Sequence, residues 1–88
     1  MSSEGAGWAF TPRAQRDMRR LDRPVQRRVV DALDRFVGDP PLGDVVKLSG
    51  VDDEWRLRVG DYRVRFTRDN NGTVQVLRVL PRGRAYRD

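Results

Sequence analysis

The chain has 88 residues, enough for one small domain, and its 18 lysines and arginines outnumber 13 acidic residues, for a net charge of +5. It contains neither cysteine nor histidine, which excludes disulfides, thiolate zinc sites, cysteine nucleophiles and the commonest general base. No apolar run approaches the roughly 18–20 residues of a membrane span, and the N-terminus lacks the basic and apolar regions of a signal peptide. We therefore expect a cytoplasmic protein without membrane contact.

The N-terminal end predicts a short tail followed by a strand. Residues 1–7 are rich in glycine and serine, and we expect them to be disordered. A single domain then occupies 8–88. Trp8, Ala9 and Phe10 alternate large, small and large side chains, which predicts a first, short strand.

Two amphipathic helices are predicted next. Thr11 supplies an N-cap hydroxyl and Pro12 suits the first helical position, and the apolar spacing that follows predicts a helix over about 12–21. After a break at 22–24 the helical spacing of apolar residues resumes and ends before Gly38. Such a helical hairpin needs a sheet to cover its two apolar stripes.

From Val45 onward the apolar period changes from about 3.6 to 2, which indicates strands. The predicted strands cover 45–48, 54–59, 62–68 and 73–80. Gly60 and Asp61 separate the second and third of them, and glycine at the first central position is the signal of a type II′ hairpin. The last strand has apolar residues on both sides, so its facing stays ambiguous.

The positive charge is concentrated in this second half and consists almost wholly of arginine. Lys47 is the only lysine, and the planar fork of arginine suits phosphate oxygens. The hairpin brings four arginines to one sheet face, pairing Arg58 with Arg63 and Arg56 with Arg65. Like charges directly opposite each other destabilise a sheet by about 0.2–1 kcal/mol per pair. Because the sequence places only one acid, Glu54, beside them, the pattern favours an anionic partner such as a nucleic acid over a merely solvated face.

The tail after Pro81 carries three more arginines around Tyr86. Neighbouring cations favour the anionic form of a phenol, so Tyr86 is a candidate proton acceptor and a candidate stacking platform for a base. Packing of its ring as a C-terminal anchor is an equal alternative. The acidic run 52–54 reads as a solvated loop rather than a metal site, and we predict neither a metal nor a cofactor.

The order of these features resembles the RelE/ParE superfamily of bacterial toxin–antitoxin toxins, and its RelE-like branch in particular, over residues 8–87. The segments that carry the resemblance are Trp8-Ala9-Phe10-Thr11-Pro12, Asp17-Met18, Arg20-Leu21, Lys47-Leu48-Ser49-Gly50, Trp55-Arg56-Leu57-Arg58-Val59-Gly60-Asp61-Tyr62-Arg63-Val64-Arg65-Phe66, and Val79-Leu80-Pro81-Arg82 with Tyr86. The run over 55–66 is the most specific of them.

The resemblance implies an α+β fold of the microbial-RNase type, in which a small antiparallel sheet packs on an N-terminal helical hairpin in the order β-α-α-β-β-β. It also implies a metal-independent endoribonuclease that cuts mRNA in the ribosomal A site by attack of a ribose 2′-OH. The residues that match the family's catalytic positions are Arg56, Arg58, Arg63, Arg82 and Tyr86. We expect the other basic residues of this half to bind RNA, namely Lys47, Arg65, Arg68, Arg78, Arg84 and Arg87.

The chain departs from the family's best-studied enzymes at two of these positions, where Arg56 and Arg58 replace lysines. Lysine lowers its pKa when it is crowded by cations, whereas arginine stays protonated. Arginine is therefore a good phosphate ligand and a poor base. This leaves charge stabilisation to the arginines, and the role of base or base-stacking residue to Tyr86.

The resemblance also implies a cognate antitoxin that neutralises the arginine-rich surface or docks along the helix stripes or a free sheet edge. Operator DNA would be bound only through the antitoxin, and the ribosome with its mRNA would be the target. Two alternatives stay open at this point. One is a ParE-like poison of DNA gyrase, and the other is a non-catalytic RNA-binding module or inactive toxin relic.

Overall fold

The computed structural model describes residues 7–48 and 53–85, with side chains up to residue 83. In chain order its elements are β1 (Trp8–Phe10), α1 (Pro12–Arg19), α2 (Arg23–Phe36), β2 (Asp44–Lys47), β3 (Trp55–Val59), β4 (Tyr62–Arg68), β5 (Val74–Pro81) and α3 (Arg82–Ala85). The tail that we expect to be disordered lies outside the described residues except for Gly7, and Tyr86 and Arg87 also lie outside them.

The two predicted helices are confirmed, and each buries one stripe. The hydroxyl of Thr11 accepts a hydrogen bond from the amide of Ala14 at 3.2 Å, so it is the N-cap of α1. Proline lies in the first turn of both helices, where its missing N–H costs no hydrogen bond. The buried residues of the two helices are Ala14, Met18, Val29, Leu33 and Phe36.

The strands form one five-stranded sheet in the order β1-β5-β4-β3-β2. Four neighbouring strands pair antiparallel, whereas β1 pairs parallel with β5 at the opposite edge from β2. The α+β class and the packing of a sheet on a helical hairpin are therefore confirmed. The sheet is mixed rather than antiparallel, because β1 joins it parallel to β5. The four strands predicted from the residues follow the helices, where the order implied by the resemblance has three.

A β-bulge in β5 resolves the ambiguous facing of that strand. Arg65 pairs with Arg78 and Phe66 pairs with Val76, so Leu77 is an extra residue on β5. One extra residue reverses the alternation of side chains. Val76 therefore faces the helices together with Val79, although the two residues have opposite parity in the sequence.

The face of the sheet that packs on the helices holds the core. Phe66 lies between two other aromatic rings, with its centroid 5.2 Å from that of Phe36 on α2 and 5.9 Å from that of Trp55 on β3. Edge-to-face and stacked pairs of this kind hold a helix to a sheet with a defined orientation. None of the described helices is long and apolar enough to cross a membrane. The opposite face of the sheet carries arginines.

Candidate functional site

The β3–β4 hairpin has the register that the sequence predicts. Of its two central residues only Gly60 has a positive φ, +57°, which is the conformation of the first position of a type II′ turn. Arg58 lies opposite Arg63, and Arg56 lies opposite Arg65. Arg78 on β5 lies opposite Arg65 and adds a fifth arginine. We call these five residues, which share the sheet face away from the helices, the arginine face.

Arg63 is the most buried member of the arginine face, with 6% of the residue exposed. Its guanidinium donates hydrogen bonds to the carbonyl oxygens of Gly60 at 3.0 Å and of Tyr62 at 2.9 Å. Among the described residues no carboxylate pairs with it. The hairpin therefore holds a nearly buried positive charge in one orientation, and no carboxylate of the described residues serves as its counter-ion, although buried charges are normally paired.

A small cleft of about 110 Å³ opens beside this guanidinium. Arg56 and Arg58 line it together with Arg63, and Asp44 and Val46 of β2 complete the wall. Three arginine side chains converging on one cleft create a strongly positive potential. The arrangement suits a compact anion with several oxygens, such as a phosphate, because each guanidinium donates hydrogen bonds from a planar fork. We refer to it as the Arg63 cleft.

Acidic residues accompany the arginine face more closely than the sequence indicates. Asp44 binds Arg58 at 3.3 Å in an exposed pair, and Glu54 binds Arg65 at 2.6 Å in a largely buried one. Sequence reasoning found Glu54 and missed Asp44, because it began β2 one residue too late. The expectation of an arginine cluster with a single acid beside it is thus wrong, since part of the repulsion is relieved within the fold.

A third carboxylate comes from a helix. Asp17 on α1 accepts hydrogen bonds from Nε of Arg78 at 2.9 Å and from the amide of Val79 at 2.9 Å. Burial alone would raise the pKa of Asp17, but these two hydrogen bonds and the charges of Arg78 and Arg13 outweigh it and hold the pKa below its ordinary value of 3.8. Among the described residues, Asp44, Glu54 and Asp17 thus form ion pairs with Arg58, Arg65 and Arg78 of the arginine face.

Two of the predicted RNA-binding residues lie on the other side of the sheet. Lys47 places its Nζ 5.8 Å from the ring centroid of Trp55, and Arg68 places its Cζ 5.4 Å from that of Phe36. Both rings belong to the side that packs on the helices. The structure therefore separates Lys47 and Arg68 from the arginine face, and their side chains cover aromatic rings instead.

Arg82 follows β5 directly and is exposed at the hairpin end of the sheet. Its amide donates to the carbonyl oxygen of Asp61 at 2.9 Å, which places it beside the turn that also holds Arg63. The short α3 that it starts contacts β4 and β5. Tyr86, Arg87 and the side chain of Arg84 lie outside the described part of the chain, so their roles stay predictions. Within the described residues no cluster of three or more carboxylates could hold a metal ion.

Comparison with known proteins gives one family and several similar structures. A family model described as the ParE toxin of the type II toxin–antitoxin system parDE matches residues 9–86. A chain of the archaeal RelE–RelB complex from Pyrococcus horikoshii is 26% identical, with a TM-score of 0.74, and the match covers 92% of this chain and 99% of that one. No curated protein sequence matches closely enough to count as a relative.

Two further toxin–antitoxin complexes are similar. For RelBE2 from Mycobacterium tuberculosis the identity is 27% and the TM-score 0.58, with 90% of this chain and 100% of that one covered. For the RelB–RelE complex from Methanococcus jannaschii the TM-score is 0.72, with 89% of this chain and 94% of that one covered, and its 22% identity supports the fold alone.

Proposed function

Because this chain belongs to the RelE/ParE superfamily of toxins of type II toxin–antitoxin systems, we propose that it is a cytoplasmic, ribosome-dependent endoribonuclease that cuts mRNA in the A site without a metal ion. The observation that carries this proposal is Arg63, a nearly buried cation that lacks a carboxylate partner among the described residues and faces a cleft with two more arginines. A phosphate in that cleft supplies the missing negative charge.

In the proposed reaction the 2′-oxygen of a ribose attacks the phosphorus of its own 3′-phosphate. The bond from phosphorus to the 5′-oxygen of the next nucleotide breaks, leaving a 2′,3′-cyclic phosphate and a 5′-hydroxyl end. Arg63, Arg58 and Arg56 bind the non-bridging oxygens, and their charge counts most at the phosphorane, where the negative charge is greatest. Arg63, which the carbonyl oxygens of the hairpin hold in one orientation, also helps to keep the attacking and leaving oxygens in line.

Two proton transfers complete the reaction. The 2′-hydroxyl loses its proton to a base as it attacks, and the 5′-oxygen takes a proton from solvent water as it leaves. Arginine stays protonated at any pH at which the protein is folded, so none of the three arginines serves as the base. We assign the acceptance of the 2′-proton to Tyr86 and additional phosphate contact to Arg82, which lies beside the same hairpin turn.

The test is cleavage of mRNA on purified ribosomes with a defined codon in the A site, with the cut mapped by primer extension. We expect Arg58→Ala and Arg63→Ala to lower the cleavage rate by about 100-fold or more, and Tyr86→Phe to slow it strongly. The matched control is Arg68→Ala, which removes an arginine from the opposite face of β4. Arg58 is the safer of the two arginine variants, since its side chain is 61% exposed and its removal leaves the core intact.

Each outcome has a distinct meaning. Near-normal cleavage by Tyr86→Phe removes that residue from the role of base. Equal losses in Arg58→Ala and Arg68→Ala show that the Arg63 cleft is not the reacting site. RNA binding that weakens steeply with salt, without any cleavage on ribosomes, favours the non-catalytic RNA-binding module or inactive relic.

A poison of DNA gyrase is the second candidate, and the family model that matches the chain supports it, because that model describes ParE toxins. The arginines of the Arg63 cleft favour the ribonuclease instead, since a protein that acts on gyrase does not need a phosphate site for RNA cleavage. Incubation with gyrase and supercoiled DNA separates the two. DNA breaks that require gyrase, together with intact mRNA on ribosomes, would establish the gyrase poison.

We also propose a cognate antitoxin as partner, since the similar solved structures are toxin–antitoxin complexes. The helix stripes, which we considered as docking surfaces, are largely buried against the sheet. Of the two edge strands in the described part of the chain, β1 and β2, we assign docking to β2, where Val45 and Val46 are exposed. We propose that an extended antitoxin segment pairs with this edge strand and places its carboxylates against the arginine face. Operator DNA is then bound only through the antitoxin.

A further inference from the structure

A second cleft, of about 510 Å³, lies next to the Arg63 cleft at the β-bulge of β5. Arg65 and Arg78 of the arginine face line it, together with Leu77, Thr11 and an arginine of α1, Arg13. Sequence reasoning left Arg13 out of the RNA-binding set, because it lies in the N-terminal half, where charges nearly balance. The fold brings it to the same side of the sheet as the arginine face.

The start of α1 is fixed beside this cleft. The amide of Thr11 donates to the carbonyl oxygen of Val76 at 3.0 Å, and its hydroxyl is 3.4 Å from the carbonyl oxygen of Leu77. The bulge at Leu77 breaks the regular strand surface at this point and leaves the space that forms the cleft. These contacts of Thr11 place the first turn of α1, and with it Arg13, at the rim of the cleft.

The three cations of the cleft differ in how they are held. Glu54 fixes Arg65 and Asp17 fixes Arg78, and all four of these side chains are between 11% and 16% exposed. Arg13 is exposed, and among the described residues no acidic side chain forms an ion pair with it. The cleft thus has two arginines in fixed orientations and one that is able to close on a ligand.

The spacing of the two clefts indicates what the ligand is. Arg63 and Arg65 are two residues apart on β4 and share a face, so their positions are about 7 Å apart along the strand. Successive phosphates of a single-stranded nucleic acid repeat at a comparable distance. A ligand whose negative charges repeat along an extended backbone fits both clefts, whereas one compact anion fits only one.

We propose that the cleft of Arg13, Arg65 and Arg78 is a second phosphate subsite, which binds the phosphodiester of the nucleotide next to the one cut at the Arg63 cleft. The proposal rests on the proposed ribonuclease function for the identity of its ligand, a single-stranded RNA. Arg13, with which no carboxylate of the described residues forms an ion pair, supplies the added phosphate contact, and Leu77 offers an apolar surface to the sugar. The subsite therefore determines on which side of the cleaved bond the enzyme binds the adjacent nucleotide of the RNA.

The test is binding of a short single-stranded RNA whose 2′-hydroxyls are methylated, so that attack by the 2′-oxygen cannot occur. We expect Arg13→Ala to raise Kd about threefold to tenfold at low salt, and to lower the slope of log Kd against log salt by about 0.7, the value for one phosphate contact to a single strand. Arg16→Ala is the matched control, since it removes an exposed arginine of the same helix that does not line the cleft.

A second ligand makes the test local. A methylated dinucleotide has only one internucleotide phosphate, and this phosphate occupies the Arg63 cleft. Arg13→Ala and the unchanged protein should therefore bind the dinucleotide with equal affinity. Equal effects of Arg13→Ala and Arg16→Ala on the longer RNA, or no effect of either, would overturn the proposal. So would an Arg13→Ala variant that weakens antitoxin binding and leaves RNA binding unchanged, because the cleft would then be a protein-binding surface.

The design keeps the two proposals apart, because binding of methylated RNA does not depend on cleavage. A protein that never cuts mRNA on ribosomes, yet loses RNA affinity in Arg13→Ala, contradicts the ribonuclease and retains the subsite. A protein that cuts normally, with Arg13→Ala and Arg16→Ala indistinguishable in binding, contradicts the subsite alone.

Discussion

Single side chains on the arginine face differ widely in what holds them. Arg63 is bound by main-chain carbonyl oxygens, Arg65 by a largely buried carboxylate, and Arg58 by an exposed one. An exposed ion pair contributes little to stability, because water screens both charges. The Arg58–Asp44 pair is therefore easily exchanged, and a phosphate in the Arg63 cleft can replace Asp44 at Arg58.

This exchange gives a prediction for Asp44→Asn. The free energy of unfolding should change by less than about 1 kcal/mol, while the affinity for single-stranded RNA should rise about twofold to fivefold, because the asparagine no longer competes for Arg58. Asp31→Asn removes an equal charge from the exposed side of α2 and serves as the control. Urea unfolding and RNA titration at low salt give the two values. An equal rise in both variants would mean that net charge alone is responsible.

At the scale of elements, Asp17 links α1 to β5. Its carboxylate accepts from Arg78 and from the amide of Val79, an edge amide beyond the end of β1. The strand β1 is too short to pair with Val79 of β5, so α1 supplies the hydrogen-bond acceptor for that amide instead. Two bonds to a charged acceptor in a half-buried place make this contact a substantial part of the α1–sheet junction.

We predict that Asp17→Asn lowers the free energy of unfolding by about 1.5–3 kcal/mol near pH 7. The folded-state pKa of Asp17 is lowered below 3.8, so its contribution is complete above that pH and is lost as the pH falls through the folded-state value. The difference between the variant and the unchanged protein should therefore shrink in urea titrations below about pH 4. Asp22→Asn is the control, since Asp22 caps α2 without a side-chain hydrogen bond. A difference that stays constant down to pH 2 contradicts the assignment.

The edge strand β2 allows a second prediction at this scale. The amide of Leu48, just after β2, donates to the carbonyl oxygen of Glu54, just before β3. Because hydrogen bonding alternates along an antiparallel pair, Val46 also points its amide at β3, while Val45 points its own away from β3. Val45→Pro should leave the fold and the toxicity intact and weaken antitoxin binding at least about tenfold, through the lost donor and the blocked edge.

Val46→Pro is the matched control, because it removes a bond to β3 and should destabilise the sheet itself. Antitoxin affinity is measured by calorimetry, and folding by circular dichroism. If Val45→Pro binds the antitoxin as tightly as the unchanged protein does, the antitoxin does not pair with this edge.

For the whole molecule, the distribution of charge explains why an isolated toxin of this size needs a neutralising partner. Residues 1–44 contribute a net charge of +1 and residues 45–88 contribute +4. Within the part of the chain that the structure describes, three ion pairs at the sheet neutralise part of this charge. An acidic antitoxin segment and an RNA backbone would compete for the same surface, so binding of one excludes the other.

We predict that expression of the free protein arrests growth, that Arg58→Ala does not arrest it at equal expression, and that co-expression of the product of the neighbouring open reading frame restores growth. Growth curves with immunoblots for protein level are the measurement. Harmless overexpression of the unchanged, folded protein would contradict an active toxin. Arrest by Arg58→Ala as well would point to a toxicity that does not use the Arg63 cleft.

Local patterns in the sequence account for the helices, their proline starts, the Gly60-Asp61 hairpin and its register. Each of these features depends on residues within one element or across one two-residue turn. Over such short distances the spacing of apolar residues and the turn preference of glycine determine the local structure. The same alternation that puts Phe66 in the core also puts Arg68 on the helix side, so that placement could have been inferred. The family, too, was accessible from the sequence, because the specific run over 55–66 is contiguous.

Only the tertiary structure decided which arginines are paired and which side of β5 is buried. Asp17 and Arg78 are 61 residues apart, and Asp44 lies opposite Arg58 on the neighbouring strand, 14 residues away and beyond a loop, so no local pattern encodes either contact. One extra residue, Leu77, reverses the parity of β5, and the sequence does not mark where a bulge falls. The sequence by itself thus determined how much positive charge the sheet carries. The fold determined that carboxylates hold part of it, and that Arg63, with which no carboxylate of residues 7–48 and 53–83 pairs, faces an open cleft.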